Sequence, residues 1–220
     1  MSPVRTDGLF RVALLSLLGA ALGCGQVNAY RTKAPEPGKN EGNWAALRDA
    51  STRRAQLYDQ FSHRATITAT YLSPEVREAR ARRLGEWLGW TDQELSARLA
   101  AEAAEATKYD DFMLALYTAD RHDNDLDAHQ SIWRLSLRLD GDQLVSHEVR
   151  FVDPNATVQN LFPYVSPFDN VYRARFDHVT GKPLAERTFV LEISSALGKM
   201  ELTFGDGKLG PDRPEGTPIP

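Results

Sequence analysis

The sequence predicts a mainly β (α+β) domain, an immunoglobulin-like β-sandwich of about seven strands carrying an inserted helical hairpin. Two observations point to the sandwich. Short runs alternate apolar and polar residues with a period of two, most clearly Ile132 to Leu139, where Trp133, Leu135, Leu137 and Leu139 alternate with Arg134, Ser136 and Arg138. Turn residues such as Asp140-Gly141-Asp142 then separate neighbouring runs. The third observation is a switch to helical periodicity between Tyr71 and Phe112, which supplies the insertion. A small β-barrel is the alternative, since closing a sheet also removes its edges.

The chain has 220 residues, enough for one domain of ordinary size. It opens with Arg5 and Arg11 ahead of an apolar run from Val12 to Leu22. That run is shorter than the roughly 20 residues a membrane-spanning helix needs, and it has the length of a secretory signal's apolar region. It ends at Ala21-Leu22-Gly23-Cys24, which holds the chain's one cysteine. These residues resemble the lipobox of bacterial lipoprotein precursors. Gly23 and Cys24 match it, while Ala21 stands where a larger aliphatic is usual and Leu22 where a small residue is. The resemblance implies a signal peptide over 1–23, a diacylglycerol on the Cys24 thiol and anchoring in the cell envelope. An ordinary secretory signal cut near Asn28-Ala29 is the rival reading. With no second cysteine to pair, lipidation gives the thiol a role. Loss of Arg5, Asp7 and Arg11 with the signal would take the formal charge from -4 to -5. That mild acidity argues against nucleic acid as a partner.

Residues 24–43 read as a lipidated cysteine and flexible tether, rich in Gly, Pro and charge. The absence of Asp after Cys24, by the same resemblance, implies an outer-membrane destination, facing the periplasm or the cell surface. The sandwich domain is expected over 44–205. Asn43 is read as the cap of a helix opening at Trp44, with Leu47, Leu57 and Tyr58 on its apolar side. Ala65, Ile67, Ala69 and Tyr71 then alternate with three threonines, which predicts a strand with one solvated face.

The insertion spans 74–107. Ser73-Pro74-Glu75 starts a helix whose stripe is Val76, Leu84, Trp87 and Leu88, and Gly89 ends it. Thr91 to Glu94 is a capping box, with Trp90 and Leu95 as its hydrophobic staple. The second helix is expected to bury Leu95, Leu99, Ala103 and Ala106. Arg77, Arg80, Arg82 and Arg83 on the first helix face Glu94, Glu102 and Glu105 on the second, a pattern suited to mutual packing or to a solvated face. An Arg patch for acidic headgroups is the functional alternative.

Beyond the insertion, Phe112 to Tyr117 is continuously apolar, which predicts a central strand covered on both faces. Leu144 to Val152 is read as one strand, with Val145, His147, Val149 and Phe151 on a common face. Further strands follow at Tyr172 to Phe176, Phe189 to Ile193 and Met200 to Phe204, and the tail over 206–220 reads as disordered.

Two stretches could carry chemistry. His122, Asp123, Asp125, Asp127 and His129 cluster in one loop. The three aspartates have the spacing that opens a calcium loop, but Ala128 and Arg134 stand where its glycine and bidentate glutamate belong. A looser Ca²⁺ site, or a Zn²⁺ site built on the two histidines, remains open beside a solvated acidic turn. The second stretch runs from Leu161 to Asn170. Its Phe162, Tyr164 and Phe168 form either an exposed partner surface or a crossover that folds Phe162 and Phe168 onto the core.

No serine-nucleophile elbow, paired-histidine zinc helix or phosphate loop is present in the sequence. The runs Phe112–Tyr117, Asn124-Asp125-Leu126, Ser131–Leu135, Phe162–Val165 and Val171-Tyr172-Arg173 resemble uncharacterised exported bacterial lipoproteins over about 45–205. That resemblance implies an envelope setting and no activity. The functional expectation is therefore a lipid-anchored, non-catalytic binding or scaffolding protein with a possible envelope protein partner. A metal-binding protein or metal-dependent hydrolase using the 120–129 loop is the alternative.

Overall fold

The structure, a computed structural model, describes residues 38–178 and 183–205. The signal, Cys24, most of the tether and the tail from 206 lie outside the described residues. Helix α1 (Glu41–Ala50) leads into strands β1 (Thr52–Asp59) and β2 (Ser62–Tyr71). The hairpin α2 (Pro74–Leu88) and α3 (Asp92–Ala106) precedes β3 (Tyr109–Thr118), β4 (Arg134–Leu139), β5 (Asp142–Val145) and β6 (Glu148–Val152). Helix α4 (Ala156–Leu161), β7 (Asn170–Asp177), β8 (Phe189–Ser195) and β9 (Gly198–Phe204) complete the chain.

Nine strands among the described residues form two antiparallel sheets, ordered β1-β2-β3-β7-β6 and β5-β4-β8-β9. The molecule is mainly β, a sandwich with helices. The inward residues of both sheets meet as expected: Ile67, Phe112, Leu114 and Tyr172 on one side face Leu135, Leu137, Leu191 and Leu202 on the other. Strand β1 also leans on β9. The Arg53 guanidinium donates to the Thr203 carbonyl at 2.9 Å, and a side chain at Gly198 would press on Leu57. No backbone ladder joins β1 to β9, so the barrel is not closed.

The larger sheet is covered on its outer face too, giving a third layer. There α1, α2 and the segment after α4 bury a second core of Trp44, Leu72, Val76, Met113, Phe162 and Val171. This explains the continuous apolar run of β3. It also overturns the expected solvated threonine face of β2, since Thr66, Thr68 and Thr70 are all buried.

Several boundaries differ from expectation. The first helix starts at Glu41, with Asn40 rather than Asn43 at its cap, and stops at Ala50. The Thr52 hydroxyl donates to the Arg48 carbonyl at 2.6 Å and closes it, so Leu57 and Tyr58 belong to a strand. The stretch 144–152 is two strands, because β5 pairs with β4 in one sheet and β6 with β7 in the other. Its four residues consequently share no face, and Val145 and Phe151 are exposed. Ser136 is buried and takes a hydrogen bond from the Gln143 amide at 2.8 Å.

The hairpin caps behave as the sequence predicts. Ser73 caps α2, Gly89 ends it in the left-handed region at φ 64°, and Thr91 and Glu94 form the capping box. Trp90 and Leu95 close over Gly85, where a Cβ would come within 3.0 Å of the indole and press it outward. The apolar stripes are less regular. Leu88 is exposed on α2, and α3 buries Glu102 rather than Ala103 because its inner face is ionic.

Candidate ligand-binding groove

The outer face of β1–β3 is ordered by register. Arg54 lies opposite Thr68, which lies opposite Ala115; Gln56, Thr66 and Tyr117 form the next row. Alternation sends each row away from the sandwich core. At the Thr70 end the helical layer covers this face. Trp44 packs edge-on against Phe162 at 5.6 Å, and its indole N–H donates to the Leu161 carbonyl at 3.2 Å. The cover reaches Tyr164 and then stops. Beyond it a groove of about 400 Å³ lies between the strands and the segment 164–169.

The strand wall presents Arg54, His63, Thr66, Thr68 and Tyr117. His63 and Tyr117 stack almost in parallel, 5.4 Å apart at 8°. The His63 Nε2 sits 2.7 Å from the Thr66 hydroxyl, which fixes the imidazole in that stack. Tyr58 leans on the far side of His63 at 5.1 Å.

The opposite wall hangs on a chain of hydroxyls. Thr52 spends its proton on the Arg48 carbonyl, so the Thr70 hydroxyl, 2.7 Å away, must donate to Thr52. Tyr164, 2.8 Å from Thr70, then donates to Thr70. Burial pushes the Tyr164 phenol well above its ordinary range, so it keeps the proton this chain requires. Past Tyr164, the Asp169 carboxylate accepts from the Ser166 N–H at 2.6 Å and the Ser166 hydroxyl from the Phe168 N–H at 3.3 Å. That turn leaves Phe168 66% exposed at the groove mouth.

Three groups in the groove are uncommitted. The Arg54 guanidinium, the Tyr117 hydroxyl and the Thr68 hydroxyl have no polar partner among the described residues. Two aromatic faces beside unused donors make a recognition surface, and the volume lies within the usual range for small-molecule sites.

The stretch from Leu161 to Asn170 thus divides between its two expected roles. Phe162 is 1% exposed and belongs to the second core, Tyr164 is half-buried, and Phe168 is exposed. The acidic loop is organised around its own backbone instead. Asp120 caps a short turn over Arg121–Asp123, the Asp125 carboxylate accepts from the Ser131 hydroxyl, and the Asp123 carbonyl accepts from the Trp133 indole. Its pivot is Asn124, whose amide donates to the Leu116 carbonyl at 2.8 Å while its own carbonyl accepts from the Tyr172 hydroxyl at 2.8 Å. His122, Asp127 and His129 are exposed. Among the described residues, no three His, Cys, Asp or Glu side chains converge to hold a metal ion.

No family model and no curated protein matches the chain. Among solved structures it is similar to a novel protein of unknown function from Burkholderia pseudomallei. The two share 9% identity, the match covers 74% of this chain and 81% of that one, and the TM-score is 0.40.

A second polar cluster lies at the other end of the same outer face, where the helical hairpin meets β3 and β7. Arg77 joins Glu102 of α3 at 3.3 Å to Asp111 of β3 at 2.6 Å. Glu102 also holds Arg80 at 2.9 Å and Arg98 at 2.7 Å. Arg173 and Arg175 of β7 bind both Asp111 and Glu105. Burial raises the Asp111 carboxyl, but hydrogen bonds and charge from Arg175, Arg77 and Arg173 outweigh it and hold the group below the ordinary carboxylate range. Arg80, Arg98 and Arg77 do the same for Glu102 against its burial. Of the charges expected to join the two helices, Glu102 alone does so, holding Arg77 and Arg80, while Glu105 reaches past α2 to Arg173 and Arg175 of β7. Glu94 serves the capping box instead, and Arg82 pairs with Glu78 on its own helix. The strand-borne members Asp111, Arg173 and Arg175 were missed. Their only signal was a charged pair, Asp110-Asp111, opening an apolar run.

Proposed function

We propose that this chain is a lipid-anchored cell-envelope protein whose sandwich domain binds a small ligand in the groove between β1–β3 and the segment 164–169. The lipobox-like Ala21-Leu22-Gly23-Cys24 supports the anchor. The observation that carries the binding reading is the set of uncommitted donors beside Tyr117 and Phe168. Recognition is favoured over catalysis because the groove's candidate acid–base groups are already engaged, His63 with Thr66 and Asp169 with its own loop.

A photo-crosslinking phenylalanine analogue placed at position 168 in living cells tests this reading. Specific adducts are expected at 168 and not at a control position, 138, on the other sheet. An adduct pattern that does not distinguish the two positions overturns the groove as a binding site.

A further inference from the structure

Resting on the reading that the groove binds a ligand, its unused groups define the ligand's class. We propose that it takes an acidic saccharide, with a sugar ring against the Tyr117 and Phe168 faces and its carboxylate on Arg54. Arg54 is exposed, unpaired among the described residues, and has uncharged Thr68 and Ala115 as its neighbours across the sheet. Its planar fork of donors matches a carboxylate in two-point geometry. The one carboxylate lining the groove, Asp169, is turned back onto the Ser166 N–H and does not compete.

The remaining free groups are the Tyr117 and Thr68 hydroxyls, which both donate and accept and so suit the hydroxyls of a sugar. A fatty acid would leave these groups unpaired when buried, and a simple aromatic acid would use Arg54 and the rings but not the hydroxyls. One anionic group, several hydroxyls and an apolar ring face are together the chemistry of a sugar acid. Two envelope sources share it, the lactyl-ether sugar of peptidoglycan and the uronic acids of acidic polysaccharides.

Calorimetric titration of the full chain distinguishes them. The probes are the disaccharide of N-acetylglucosamine and N-acetylmuramic acid, trigalacturonate, and neutral cellotriose. Saturable binding is expected for one acidic probe, which names the source, with cellotriose at least about tenfold weaker. Arg54→Ala should weaken the acidic probe by about ten- to a hundredfold and leave cellotriose unchanged. Tyr117→Phe should weaken both kinds of probe by several-fold. Arg54 is an exposed residue on an edge strand, and an unchanged thermal transition of the variant verifies its fold.

Equal binding of acidic and neutral probes, indifference to Arg54→Ala, or no binding of either acid overturns the proposal. If adducts at position 168 persist in that case, the groove stands and the ligand class falls. If they too are absent, both fall.

Discussion

Asp111 is fully buried on β3 and meets guanidinium groups from α2 and β7. Removing a member of a buried charged group leaves the others desolvated and uncompensated, which costs far more than the group's net contribution. Asp111→Asn should therefore lower the unfolding free energy by about 3 kcal/mol, read as a drop in the denaturant midpoint with an unchanged slope. A change within experimental error would show that water or rearrangement compensates the arginines. No residue-level pattern in the sequence marks Asp111, because an aspartate before an apolar run is equally compatible with an exposed strand end. Its burial follows from the hairpin landing on that end of the sheet, a tertiary event.

At the scale of elements, helix α3 is fastened mainly by charge, for it buries only Glu102 fully, while α2 also packs Val76 and Ala79 into the second apolar core. Both Asp111 and Glu102 have depressed carboxyl values in the folded state. The stability they contribute is complete above the ordinary carboxylate range near pH 4, and it is lost as pH falls through their lower folded values. Hydrogen exchange should accordingly show α3 losing protection below about pH 4, before β3 and β7 do. Simultaneous loss across the sheet would mean the hairpin is not a separate acid-sensitive unit. The hairpin itself was legible because caps, staple and stop signal are local chemistry. Strand β1 was not. Trp44 and Leu47 set up a helical reading that Thr52 to Gln56, with Ala55 as its one apolar residue, does not interrupt, and what ends the helix is the Thr52 side chain folding back on Arg48. The run 144–152 misled for a related reason, since a period of two survives the step from one sheet to the other.

Across the whole molecule, the outer face of the larger sheet grades from ionic under the hairpin, through apolar under α1 and Phe162, to open at the groove. The groove was illegible in the sequence because it needs three misread or divided pieces at once. Its Arg54 lies on the strand read as helix, Tyr117 ends a run read as core, and Phe168 parts company with Phe162 only in three dimensions. The anchor belongs to this scale as well. Among the described residues no helix is long and apolar enough to cross a membrane. If Cys24 carries the lipid, Cys24→Ala should shift the protein from the membrane pellet to the soluble fraction of lysed cells. Unaltered pelleting would remove the anchor from the proposal.

The contact of β1 with β9 has a consequence for how copies of the molecule tolerate crowding. Both strands would otherwise offer long open edges to a neighbouring chain, and unpaired edges template intermolecular sheets. Leaning on each other, they shield the edge of each sheet on that side. The edges left free are β6 and β5, five and four residues long and the two shortest strands among those described. Copies brought close together would therefore meet with little open backbone to zip along, because the strands placed outermost are the short ones.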